Sequence, residues 1–220
     1  MGRVRFSRLA ALVFALASLG GCARSASVNY YILRSMRGPE PGVRTAAPGP
    51  AKAVVIGPVS IPAYLDRPQM VTRPSPETIK YAEFDRWAEP LDKNLARVIA
   101  DDISALLPGA NVCVFPCPTA FPVTYQVTLD VIELEKVASG KVILEASWKI
   151  FGNKGKELLV MRRSRVSEPV EANAGYSAIA SAESLAVKAL SRRIATVVEA
   201  MPAVLAPKSG HAHRRPGAIR

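Results

Sequence analysis

The chain has 220 residues, 49% hydrophobic and 21% charged, with a formal net charge of +11. That length suits one ordinary domain with appendages; the apolar fraction excludes intrinsic disorder, and three cysteines are too few for a disulfide scaffold. Both histidines, His211 and His213, fall in the last ten residues, which removes most histidine-based catalysis and histidine-ligated metal sites from consideration.

Residues 1–21 read as a bacterial export signal. Arg3, Arg5 and Arg8 form a positive start, residues 9–19 are apolar except for Ser18, and Gly20 and Gly21 follow. The apolar run is too short to span a bilayer core of roughly 30 Å. Leu19-Gly20-Gly21-Cys22 resembles the lipobox of bacterial lipoproteins, in which the cysteine is lipidated and becomes the mature N-terminus. The alternative is an ordinary secretory signal that happens to contain a cysteine. Acyl chains bury roughly 0.8 kcal/mol per methylene, so several of them hold a soluble domain firmly on a membrane. Ala23 is not the aspartate that retains enteric lipoproteins at the inner membrane, which by analogy implies the periplasmic face of the outer membrane.

Residues 22–27 form a lipidated tether and 28–202 an expected single domain. Residues 28–34 (VNYYILR) are rich in β-branched and aromatic side chains and predict a strand. Residues 37–50 are dense in Pro, Gly and Ala and read as a loop. The apolar run KAVVIG at 52–57 predicts a strand buried on both faces. Five prolines then leave room for short extended pieces at 69–73 and 78–83.

Leu91, Leu95, Val98, Ile99, Ile103, Leu106 and Leu107 fall on one face of a helix. Pro90 suits its first turn and Pro108-Gly109 ends it. Asp92, Lys93, Arg97, Asp101 and Asp102 are expected on its solvated side. A short strand follows at 111–115. It carries Cys113, with Cys117 just beyond. A straight strand would hold their Cα atoms roughly 13 Å apart, but Pro116 and Pro118 favour a bend, so a disulfide is possible. Two thiols without histidine do not suggest a metal site.

Residues 123–131 alternate strictly, with Val, Tyr, Val, Leu and Val on one face and polar residues on the other. Ser139-Gly140 and then Gly152-Asn153-Lys154-Gly155 turn the chain through strands at 141–151 and 157–166, an antiparallel meander. Residues 174–201 predict a long helix with Ile179, Ala182, Ala186, Leu190, Ile194, Val197 and Met201 on its buried stripe. The expected fold is an α/β sandwich, a mixed sheet carrying two long amphipathic helices. Residues 203–220 form a basic tail that either solubilises the chain or touches anionic envelope polymers or headgroups.

Without the signal the charge falls to +8, and Lys208, Arg214, Arg215 and Arg220 place four of those charges in the tail. The body therefore carries about +4, which is not the footprint of a nucleic-acid binder. No phosphate-binding GxxxxGK[ST], GxSxG or HExxH motif occurs. The carboxylate pairs Asp101/Asp102 and Glu133/Glu135 read as solvated surface. No catalytic residue, metal or cofactor is expected.

The densest run of unusual residues is VSIPAYLDRPQMVTR at 59–73 followed by YAEFDRWAEPLDKNL at 81–95. Ile61-Pro62, Tyr64-Leu65-Asp66-Arg67-Pro68, Val71, Arg73 and the Arg86-Trp87-Ala88-Glu89-Pro90-Leu91 junction carry a resemblance to the PqiC-like family. Tyr30-Tyr31-Ile32-Leu33 and the lipobox stand in the expected places. These are lipoprotein auxiliary components of ABC-type and MCE-type envelope transport systems. The resemblance covers residues 22–201 and leaves out Cys113, Cys117 and the basic tail.

It implies a non-enzymatic, outer-membrane-anchored lipoprotein of a lipid transport system that docks, as a homo-oligomeric ring, on an MCE-domain protein. It also makes Tyr64, Arg67, Arg73, Arg86 and Trp87 candidates for contact surface. Against that stands a structural role, with Trp87 plugging the helix end into the core and Arg67 or Arg86 paired with a carboxylate. The alternative function is an envelope assembly or regulatory lipoprotein that touches peptidoglycan machinery or a secretion pore. A further reading, that the chain itself holds lipid, needs a cavity.

Overall fold

The computed structural model describes residues 27–36, 52–171 and 173–203. The expected signal, Cys22, most of its tether, the 37–50 loop and the tail from 204 lie outside them. The elements are β1 (Asn29–Tyr31), β2 (Ala53–Ser60), β3 (Gln69–Ser75), β4 (Thr78–Trp87), α1 (Leu91–Leu106), β5 (Asn111–Val114), β6 (Tyr125–Val137), β7 (Lys141–Gly152), β8 (Glu157–Pro169) and α2 (Tyr176–Ala200). They make one mixed eight-stranded sheet with both helices packed on it, the α/β class the sequence implies.

β6 is the hub of the sheet. Along one edge it pairs antiparallel with β7, which pairs with β8. Along the other it pairs in parallel first with β2 and then, near its C-terminal end, with β3. β3 continues the sheet to β4 and β1, and β2 continues it to β5. β2 thus lies between two parallel neighbours, and residues 53–57 are all buried, as a continuous apolar run requires. At Gly57 the chain takes φ +110° where the β2–β6 register slips; a Cβ there would stand 3.3 Å from that of Phe115.

β6 buries Tyr125, Val127, Leu129 and Val131, the alternating set read from the sequence, but it does not end there. A register shift between Val131 and Glu133 inserts one residue, after which Leu134 takes the core face and the strand runs on to Val137. On β7 the buried positions include Val142, Leu144, Ala146, Trp148 and Ile150. Trp148 is enclosed with its indole N–H given to Ser164 Oγ at 3.0 Å. The turn into β8 places Asn153, Lys154 and Gly155 at positive φ. The expected 28–34 strand shortens to β1, because Leu33, Arg34 and Met36 give their amides to side chains of the helices rather than to a strand.

α1 lies against β2 and β5, α2 against β6, β7 and β8, and the helices touch each other. Their facing stripes are not wholly apolar. Asn94 and Asp102 on α1 are buried. Asn94 Oδ1 accepts the Leu33 amide at 2.7 Å, Asp102 Oδ1 accepts the Met36 amide at 2.7 Å, and Ser184 of α2 accepts the Arg34 amide at 3.1 Å. Asp102 is therefore not the solvated residue expected. Its carboxylate replaces a strand partner for the chain leaving β1, while Asp101 remains exposed. Asn94→Ala leaves the Leu33 amide buried and unpaired, so residues 33–36 should gain local opening by about 1 kcal/mol. Amide exchange at Leu33 and Met36 measures it, with β6 amides unchanged.

Candidate partner-docking site

The segment between β2 and β3 is a tight turn. The Leu65 amide bonds to Pro62 O at 2.8 Å and the Arg67 amide to Leu65 O at 2.8 Å, with Leu65 buried as an anchor. The turn lays Tyr64 over the end of β6. There Glu135, with no solvent exposure, is wholly engaged. Tyr64 Oη donates to its Oε2 at 3.0 Å, Arg73 gives Nε and Nη2 to its Oε1 at 2.8 and 2.7 Å, and the Leu134 amide reaches Oε2 at 2.9 Å. The Arg73 guanidinium also lies 5.6 Å from the Tyr64 ring centroid. Burial first, and then the Glu135 charge, push the Tyr64 phenol far above its ordinary value. Tyr64 and Arg73 are thus held together to neutralise a buried carboxylate. The expectation that Glu135 is solvated fails for the same reason.

Glu133 lies one step along the sheet, opposite Glu145, which in turn faces Arg165. Arg165 bridges both carboxylates, and Arg163 adds a second cation on Glu145. Burial works against the charged form of Glu145, yet hydrogen bonds from Arg163 and Arg165 hold its pKa below the usual value. This ladder is open to solvent through its arginines and contributes little to stability.

The five candidate contact residues therefore separate. Trp87 is 6% exposed and belongs to the core beside Leu91 and Leu95, with its amide on Pro68 O at 2.7 Å. Arg86 sits between Gln69 and Tyr30 in the sheet register, and its Nε is buried without a hydrogen-bond partner among the described residues. Arg67 pairs with no described carboxylate and instead lies 4.1 Å over the Tyr81 ring, a cation on an aromatic face at the surface. Sequence reasoning missed Tyr81 and Phe84, both more than a third exposed on β4. Large aromatics within the polar strand 78–87 were the available signal. Cys113 and Cys117 are bonded as a disulfide with Cα atoms 6.0 Å apart, remote in sequence from all of these. No three His, Cys, Asp or Glu residues among those described are placed to hold a metal ion.

Residues 35–195 match the family described as "ABC-type transport auxiliary lipoprotein component", an interval that runs from the helix-bound segment after β1 to the last turns of α2. The chain belongs to that family. It is similar to the intermembrane transport lipoprotein PqiC of Escherichia coli (strain K12) and of Shigella flexneri, at 29% identity over 161 residues in each case. The similarity covers 72% of this chain and 80% of theirs. A crystal structure of a Xanthomonas campestris protein shares the fold with a TM-score of 0.60, 18% identity and coverage of 79% of this chain and 94% of that one. A further, uncharacterized protein aligns at a TM-score of 0.63 and 20% identity, covering 79% and 99%. The family is one of transport auxiliaries, which is not an enzyme class.

Proposed function

We propose that this chain is lipidated at Cys22, sits on the periplasmic face of the outer membrane, and serves a transenvelope lipid transporter by docking as a ring on an MCE-domain protein. Membership of the auxiliary lipoprotein family is the observation that carries this reading. The chain geometry fits it. Four residues separate Cys22 from Ser27, so the tether lets Ser27 stand at most roughly 18 Å from the lipid anchor. Of the candidate contacts, Arg67 on Tyr81 offers a planar cation and aromatic area to a partner.

Detergent extraction followed by affinity capture of the chain tests the docking, with recovery of an MCE protein expected. Arg67→Glu should lower that recovery at least tenfold while leaving the thermal midpoint unchanged. Recovery of cell-wall synthases with no MCE protein overturns it. The anchor has its own test: Cys22→Ala should move the protein from the membrane fraction to the soluble periplasm, and full membrane retention of that variant would contradict lipidation.

A further inference from the structure

A groove of about 510 Å³ runs between the segment after β1 and the exposed side of α2. Tyr30, Ile32 and Leu185 line it, and all three are exposed. Single apolar residues at a surface are ordinary, but three around one groove are not. The Leu33 and Met36 amides bond to α1 and the Arg34 amide to α2, so residues 33–36 lie across both helices. Leu33 is buried as their anchor, while its neighbours Ile32 and Arg34 are exposed.

Cations rim this groove. Ser181, Leu185, Lys188 and Arg192 follow one another at helical spacing, so one ridge of α2 carries a leucine and then two cations. The one exposed carboxylate of α2 is Glu199, in its last turn. Arg34 lines the groove from the other side, and among the described residues no carboxylate does. Arg34 and Arg192 form no salt bridge among the described residues. The Lys188 charge acts on Asp102, which is itself buried.

We propose that this surface is laid against a phospholipid bilayer. Ile32 and Leu185 enter the boundary of headgroups and acyl chains, and Arg34, Lys188 and Arg192 meet lipid phosphates. The inference takes its anchor from lipidation of Cys22 and does not depend on what the chain docks against. Four residues separate Cys22 from Ser27, and β1 begins at Asn29, so the anchor delivers the chain to the membrane beside this groove. Apolar side chains bordered by lysine and arginine are the pattern of an interfacial helix, in which the long cationic arms keep their charge at headgroup level. Two other occupants fit less well. Residues 37–51 start beside the groove at Met36, but they bring Arg37 and Arg44 against Glu40 and a single large aliphatic residue, Val43. A second copy using the same surface would set three cations against three cations.

Leu185→Trp and Ile32→Trp place a fluorescent reporter on this surface, and Met161→Trp is the control. Met161 is the cross-strand partner of Lys149, which alternates on β7 with the buried Trp148 and Ile150, so it points off the sheet face remote from the helices. The native Trp87 and Trp148 are buried and give a constant background. Each variant of the full chain is reconstituted in vesicles of phosphatidylethanolamine and phosphatidylglycerol, with and without lipid brominated near the headgroups. Emission from positions 185 and 32 should drop about twofold in the brominated vesicles, and emission from position 161 should hold. Arg34→Glu with Arg192→Glu should remove most of the drop at position 185. Both side chains are exposed, so the thermal midpoint should not move. Equal quenching at 185 and 161, or none at 185 and 32, overturns the proposal. So does a blue shift at 185 that grows with protein concentration without quenching, which marks a second copy on this surface. Intact mass reads the anchor independently. A chain without acyl groups contradicts lipidation alone; coupled through the Cys22 thiol, the cysteine outside the disulfide, to a maleimide-headgroup lipid, it meets the same quenching test.

Discussion

Arg73→Met should destabilise the protein by about 3 kcal/mol, which at this size lowers the thermal midpoint by about 10 °C. The loss comes less from the contact removed than from the charge left behind. Glu135 stays fully enclosed, and only Tyr64 and the Leu134 amide remain to answer it. Tyr64→Phe removes one bond to the same carboxylate and should cost about 1.5 kcal/mol. The two changes share one partner, so their combination should depart clearly from the sum. Arg163→Met is the control. It removes a cation from Glu145, but that arginine is mostly exposed, and the change should stay within about 0.5 kcal/mol. Denaturant midpoints for the four variants and the parent measure all of this. An Arg73→Met effect no larger than that of Arg163→Met would mean that Glu135 is not held by its partners. It would also mean that the β2–β3 turn is not pinned to β6 through Tyr64.

What the sequence disclosed, and what it hid, divide along the range of the interactions. Alternation over 123–131, the apolar run at 53–57 and the stripe of α1 are local patterns, and each became the element expected. The meander β6–β7–β8 is also local, since its turns carry their own signals at Ser139-Gly140 and at 152–155. The bulge after Val131 left no such mark and flipped the side-chain parity, so Glu133 and Glu135 looked like the frayed end of a strand. Asp102, Glu135 and Glu183 are buried because partners or neighbours far along the chain enclose them. Met36 is 66 residues from Asp102, and Tyr64 is 71 from Glu135. Two of these carboxylates did carry a clue. Asp102 falls between Ile99 and Ile103, and Glu183 between Ala182 and Ala186, both inside helical stripes that otherwise face the core. An acidic residue at such a position either meets a donor or keeps its proton. At the docking site, Arg67 was visible as a candidate while its Tyr81 platform was not, because the contact depends on how the β2–β3 turn lies over β4.

Burial disfavours the ionised form of Glu183, and this makes a second large effect measurable. It is buried on α2, and its Oε2 finds no hydrogen-bond partner among the described residues. Burial above all, with the Glu135 charge added, pushes its carboxyl well above the ordinary value. In the unfolded chain the same group ionises near pH 4.3. Below that pH both states are protonated and the contribution of Glu183 to stability is fully present. As pH rises further the unfolded state gains a charge that the folded state refuses, so stability falls until the folded value is reached. Glu183→Leu should therefore stabilise the protein by about 2 kcal/mol at pH 8, and the gain should shrink as pH is lowered toward 4. Glu183→Gln should remove the same slope while keeping the shape of the side chain. Asp130 titrates in the opposite sense. Hydrogen bonds from Ser60 and Lys149 hold its pKa below the usual value, so its contribution is lost as pH falls. Because that contribution is common to parent and variants, the difference in unfolding free energy between them isolates Glu183. A difference that stays flat from pH 4 to pH 8 would place an ionised carboxylate inside α2. The packing of that helix over β6, β7 and β8 would then need a cation that the described residues do not supply.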